Sequence, residues 1–243
     1  MIPVIWSSDA ATVVLKPAGL ATQAPPPHDS LEMRIREQFA DRTSYIAFPH
    51  RLDRPVGGLI LVAFTKRAAR LLGEQFEARR VAKTYVALVQ GRVDADSQRW
   101  TDFLRKVDDE ARVEVVPGQV ADKTLPYDGL PSPSKGTTNL EVRRTAGDAK
   151  LAELQMRVIQ RGDAQTLIEL CPLTGRMHQL RVQAASRGHV IIGDSQYGSE
   201  LSCEGLADGC IALQASKLEF NDPVNGKRVI VEAPPTAWRL APA

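Results

Sequence analysis

Leu59-Ile60-Leu61-Val62-Ala63 carries no polar side chain and follows directly on a charged knot, Pro49-His50-Arg51-Leu52-Asp53-Arg54-Pro55-Val56-Gly57-Gly58. The run is too apolar to face water, and its small and β-branched residues predict a buried strand. Asp53, between two arginines and a proline, must then lie on the turn that feeds this strand. Gly57 and Gly58 leave the backbone free to bend closely there. Cations on both sides of a carboxylate favour its ionised form. The plainer reading of Asp53 is a surface ion pair in a tight turn, which the rest of the chain must outweigh.

The remaining sequence supplies strands and few helices. Hairpin signals place strands at 2–6 and 11–15 around Ser7-Ser8-Asp9, and at 152–160 and 165–171 around Arg161-Gly162-Asp163-Ala164. A third pair, 211–220 and 228–232, is joined by Asn225-Gly226, read as a type I′ turn. The spacing predicts a helix over 29–40, with Asp29 and Glu32 as a capping box and Leu31, Ile35 and Phe39 as its apolar stripe. Thr65 is placed to cap another, from Lys66 to about Arg79, that buries Ala68, Leu72 and Gln75 or Phe76. Lys83 to Gly91 has strand composition. From 94 to 150 the text is polar and rich in turn residues, which predicts a long variable loop.

A second polar cluster is Thr174-Gly175-Arg176-Met177-His178-Gln179-Leu180-Arg181-Val182. Thr174 is expected to cap a helix that ends near Gly188. No acid occurs between Glu169 and Asp194, so this element is expected to carry unpaired positive charge suited to an anion. Positive charge also gathers between His50 and Arg92, where nine lysines and arginines face three acids although the whole chain carries only +2. Such a patch suits phosphates, and a solvated helix face accounts for part of it.

Composition closes off other classes. The 243 residues suffice for a full core, and 43% hydrophobic with 25% charged residues is ordinary for a soluble globular chain. Three cysteines without metal-ligand spacing argue against a disulfide framework and for a reducing cytoplasm. The opening residues lack the pattern of a signal peptide, and no stretch is long enough to span a membrane.

The blocks resemble one family. His50 to Leu59 is similar to the H-R-L-D-R-x-T-S-G-L signature of the RluA-type pseudouridine synthases, with Val56-Gly57 in place of Thr-Ser. Lys16-Pro17-Ala18-Gly19-Leu20 resembles the family's K-P-x-G-L, Lys83 to Gly91 its K-x-Y-x-A-x-V-x-G, and Thr174 to Val182 its T-G-R-x-H-Q-L-R-V. Gly188 to Gly198 is similar to G-H-P-I-x-G-D-x-x-Y-G with Val190 for the proline, and Gln214 stands where the family has histidine.

The resemblance implies an α+β fold, a mixed, mainly antiparallel sheet flanked by helices with a basic active-site cleft. Residues 1–243 would form a single catalytic domain without a separate amino-terminal RNA-binding domain. The implied reaction isomerises uridine to pseudouridine within ribosomal or transfer RNA and needs no cofactor and no metal. Asp53 would act as nucleophile at the ribose or as base on its C2′ proton, Arg181 would pair with it, and Tyr85 would line the site against the uracil. His50, Arg51, Arg54, Arg176, His178 and Leu180 would face RNA, and the protein would be a cytoplasmic monomer.

Two other readings compete. A metal-dependent hydrolase could use His50, Asp53, His178 and His189, yet none of these has helical metal-ligand spacing and arginines crowd each of them. A catalytically silent RNA-binding protein of the same fold would account for Val56-Gly57 and Gln214, but it could dispense with Asp53.

Overall fold

The computed structural model describes residues 1–116, 123–124 and 148–240. In chain order the strands are β1 (Val4–Ser7), β2 (Ala11–Lys16), β3 (Gly57–Ala63), β4 (Ala82–Gln90), β5 (Ser97–Lys106), β6 (Val113–Val116), β7 (Lys123–Thr124), β8 (Lys150–Arg161), β9 (Gln165–Pro172), β10 (Leu213–Asn221) and β11 (Arg228–Glu232). The helices are α1 (Leu31–Gln38), α2 (Lys66–Glu77) and α3 (Gln179–Ala185). Contacts divide the chain into two compact units, one built from Met1–Val86 with Glu204–Trp238 and one from Ala87–Cys203 with the last residues.

In the first unit β3 lies between β2, antiparallel, and β10, parallel, with Gly58 opposite both Lys16 and Ala215. β1 closes the β2 edge and β11 pairs with β10, both antiparallel. Residues Leu59 to Ala63 are all 0% exposed, as their lack of polar side chains requires. Leu59, Leu61 and Ala63 share a core with Val13, Phe220 and the α2 residues Ala68 and Leu72. Thr65 caps α2 by accepting the Ala68 N–H at 3.0 Å, and Lys66, Arg67 and Arg70 stay exposed. The Gln75 side chain is also buried, because it exchanges two hydrogen bonds with the Asn221 backbone.

At α1 the expected capping box is not formed. Ser30, extended at φ −148°, is the cap and accepts the Met33 N–H, while Asp29 pairs with Arg34. The 225–226 turn differs as well. Asn221 still pairs with Arg228, but the Asp222 N–H bonds the Lys227 carbonyl around a four-residue turn. Only Gly226 in that turn has positive φ, whereas a type I′ turn needs two such residues.

The second unit corrects the long-loop expectation for 94–150 over part of its length. β5 pairs antiparallel with β8 through eight residues, and with β6 and β7. Trp100, Phe103 and Leu104 are buried, while the polar residues that made the stretch read as loop form cross-strand pairs, Arg99 with Glu153 and Arg105 with Glu114. The Pro/Gly-rich stretch 126–136 lies outside the described residues. α3 packs Val182 against Leu104, Val113 and Ala152. All pairings given are antiparallel except β3 with β10, so the fold is the expected mixed, mainly antiparallel α+β type.

Candidate active site

The turn that carries Asp53 is tethered on each side of the carboxylate. Before it, the Leu52 N–H donates to the Thr22 hydroxyl at 3.2 Å, and that hydroxyl donates to the Leu52 carbonyl at 2.9 Å. After it, the Val56 N–H donates to the Asp53 carbonyl at 3.1 Å, which closes the turn. The Arg54 carbonyl accepts from the Gly19 N–H at 2.8 Å, and the Arg54 Nε returns a bond to the Gly19 carbonyl at 3.0 Å. Arg54 is therefore partly committed to holding the loop that carries the K-P-A-G-L motif.

Lys16 completes this tether. It is 1% exposed, and its ammonium donates to the carbonyls of Pro17, Leu20 and Arg54 at 3.0, 2.6 and 3.4 Å. Burial pushes it down to about 8, and the nearby Asp53 carboxylate opposes that shift. The K-P-A-G-L motif by itself does not assign Lys16 this role. The available signal was a lysine ending the apolar strand Ala-Thr-Val-Val-Leu, where a charge must find acceptors.

Gly58 sets how the turn enters the sheet. Its φ is +120°, and a Cβ placed on it would lie 2.4 Å from the Ala215 carbonyl oxygen. Only glycine allows β10 to approach so closely just five residues beyond Asp53.

Tyr85, 9% exposed on β4, is near enough to Asp53 for the carboxylate to act on its hydroxyl. Burial first, and the Asp53 charge second, raise the phenol well above its ordinary value, so it is neutral at physiological pH. Arg51 is exposed.

His50 does more than face outward. Its Nε2 accepts the Leu61 N–H at 2.9 Å, its ring stacks on Phe76 at 4.9 Å, and so the knot is fastened to β3. Burial, aided by the Lys83 charge, pushes the imidazole down to about 3. A protonated ring would set N–H against N–H at Leu61.

The folded pKa lies below the unfolded value near 6.5, so the unfolded state binds the extra proton between pH 6.5 and 3. Stability should therefore fall as pH drops through that window, by roughly 2–3 kcal/mol at pH 4.5. His50→Gln keeps an acceptor but does not titrate. Urea midpoints should show a flatter acid limb in that variant, and an unchanged limb would contradict the assignment.

Arg176, His178, Leu180 and Arg181 lie in the second unit. Here Thr174 does not cap a helix. Its hydroxyl bonds Gln179 and the Glu153 backbone, and α3 begins only at Gln179, after His178 in a left-handed conformation with φ +50°. His178 Nδ1 meets the Tyr197 hydroxyl at 3.0 Å, and Leu180 is 8% exposed. Arg176 Nε donates to the Leu151 carbonyl at 3.0 Å.

The expectation of unpaired positive charge on this element is not met. Arg181, 4% exposed, makes a two-pronged bond to Asp194 at 2.7 Å on each arm and reaches Gln196 at 2.8 Å, while Arg187 pairs with Asp102. The acids come from elsewhere in the sequence, which a local charge count cannot see. Asp194, 1% exposed, and Tyr197, whose ring lies 5.0 Å from the Arg181 guanidinium, both belong to the Gly188–Gly198 motif.

A carboxylate on a cation-flanked turn thus lies near a neutral phenol, in an α+β scaffold. The chain belongs to the RNA pseudouridylate synthase family, whose model matches residues 11–186, and it is an RNA uridine isomerase. It is 31% identical to the tRNA pseudouridine synthase C of Yersinia pestis over 96% of this chain and 86% of that one. It is 30% identical to the dual-specificity RNA pseudouridine synthase RluA of Vibrio parahaemolyticus serotype O3:K6 over 90% and 78%. Among solved structures it resembles human RNA pseudouridylate synthase domain containing 1, at TM-score 0.71 and 24% identity over 98% and 88% of the chains, a likeness of fold.

Proposed function

We propose that this RNA pseudouridine synthase acts on uridines in transfer or ribosomal RNA with Asp53 as its reacting group. The carrying observation is the Asp53 turn, tethered at Leu52, Arg54 and Val56 and placed beside buried Tyr85. In the reaction the N1–C1′ bond breaks, the uracil turns, and a C5–C1′ bond forms. The C5 proton leaves and N1 gains one, so the change is an isomerisation without redox chemistry or any added group. Asp53 serves as nucleophile at the ribose or as base on the C2′ proton. Tyr85, held neutral, suits stacking against the uracil better than service as a phenolate base.

For Arg181 as partner of Asp53, the support is the motif Thr174 to Val182. His50, Arg54 and Leu180 are engaged in packing or backbone bonds, so their part in meeting RNA is to shape the surface, while Arg176 and His178 offer polar contacts. Three free cysteines fit a reducing cytoplasm as its compartment, and we take the protein to act as a monomer. Mapping pseudouridines in cellular RNA with and without this protein tests the choice of RNA. Loss of sites only in messenger RNA would refute transfer or ribosomal RNA as the target.

Arg51 supplies a sharper test. A glycosidic carbon inside a stacked helix cannot be reached from a tethered turn, so the target uridine must be extruded. Unstacking costs a few kcal/mol, and a planar guanidinium filling the gap offsets part of it, whereas an ammonium has no flat face. Arg51→Lys should therefore lose about tenfold or more on a structured stem-loop and much less on an RNA whose uridine is already unstacked. Equal losses on both RNAs would show that Arg51 supplies only charge.

A further inference from the structure

Lys83 is held in the first unit in a way that folding alone does not explain. It sits near the start of β4, two residues before Tyr85, so both side chains leave the same face of the strand. Its ammonium lies 5.9 Å from the centre of the Phe76 ring, and Phe76 stacks on His50, the first residue of the H-R-L-D motif. The group thus lies close to His50, three residues before Asp53, and on the strand face that carries Tyr85.

Among the described residues the Lys83 ammonium has no carboxylate partner and no hydrogen-bond acceptor; the Phe76 face is its recorded contact. Its charge also acts on His50, which stays neutral and contributes no counter-charge. The Asp53 carboxylate acts on Lys16 and Tyr85, whereas Lys83 is shifted downward by burial alone. A ring face compensates only part of the hydration that a half-buried ammonium loses. A cation so placed is suited to an anionic ligand.

The anion must fit a point charge with three donors, on the strand face of Tyr85 and close to the segment that leads into Asp53. A phosphodiester oxygen of the RNA backbone has that charge and geometry. We propose that Lys83 is the cation that binds a backbone phosphate next to the target uridine. The inference rests on the reading that this site acts on RNA.

The test uses the full chain with an unmodified tRNA or rRNA transcript in which the wild-type protein first forms pseudouridine. RNA affinity is measured against salt for wild type, Lys83→Met and Lys83→Arg, beside melting of each free protein. Loss of one phosphate contact should make the log–log salt slope of Lys83→Met shallower by about 0.7–0.9. KM should rise by about five- to tenfold with kcat little changed, and Lys83→Arg should recover the slope. Free Lys83→Met should melt no lower than wild type, since it removes a desolvated charge that lacks an acid. An unchanged slope and affinity would overturn the proposal. So would a Lys83→Met protein that melts several degrees lower while its slope stays at the wild-type value, which would mark Lys83 as structural. Should wild type itself modify neither RNA, the reading of the site falls first.

Discussion

Asp53→Asn is expected to abolish pseudouridine formation while leaving RNA affinity within a few fold of wild type. The substitution keeps the size and much of the hydrogen bonding of the side chain, and the turn around it is held by the backbone of Leu52, Asp53 and Arg54 together with Thr22 and Lys16. Folding should therefore survive. An amide can neither attack the ribose nor take the C2′ proton, and loss of such a group costs on the order of 10^4-fold or more in rate. Single-turnover conversion beside a binding measurement separates the two effects. Retained turnover in Asp53→Asn would remove Asp53 from the chemistry.

Arg181→Met should have the largest effect on stability. The guanidinium holds Asp194 with two bonds of 2.7 Å, and the side chains are only 5% and 1% exposed. Removing the cation leaves Asp194 buried without it, which costs about 3–5 kcal/mol when one partner of a buried pair is lost. In a chain of this size that lowers the melting temperature by roughly 10 °C. Arg181→Met combined with Asp194→Leu should recover part of the loss, because the second change removes the stranded charge. A single-variant cost below about 1 kcal/mol would mean that the pair is not buried as described. Activity data on Arg181 variants need this stability correction before any effect on Asp53 is read from them.

The strand after Asp53 was legible because an unbroken apolar run can satisfy itself only by burial, and Leu59 to Ala63 are buried throughout. Thr65 was legible for a similar reason: capping is local, and its partner lies three residues on. What sequence could not show is pairing at a distance. Asp194 and Asp102, which neutralise Arg181 and Arg187, lie 13 and 85 residues from their partners. β5 read as loop because its charges point outward to partners on neighbouring strands that spacing cannot reveal. Lys16 and His50 were visible as motif letters, but their tasks depend on which carbonyl or N–H comes within reach once the chain has closed.

We propose that these residues, unaided, isomerise uridine in RNA through Asp53. The most direct measurement incubates the purified protein with unmodified transfer and ribosomal RNA transcripts in the presence of EDTA and maps pseudouridine at nucleotide resolution. Pseudouridine is expected at discrete positions with wild type and at none with Asp53→Asn. Absence of conversion in every transcript, or activity that appears only when a divalent metal is restored, would contradict it.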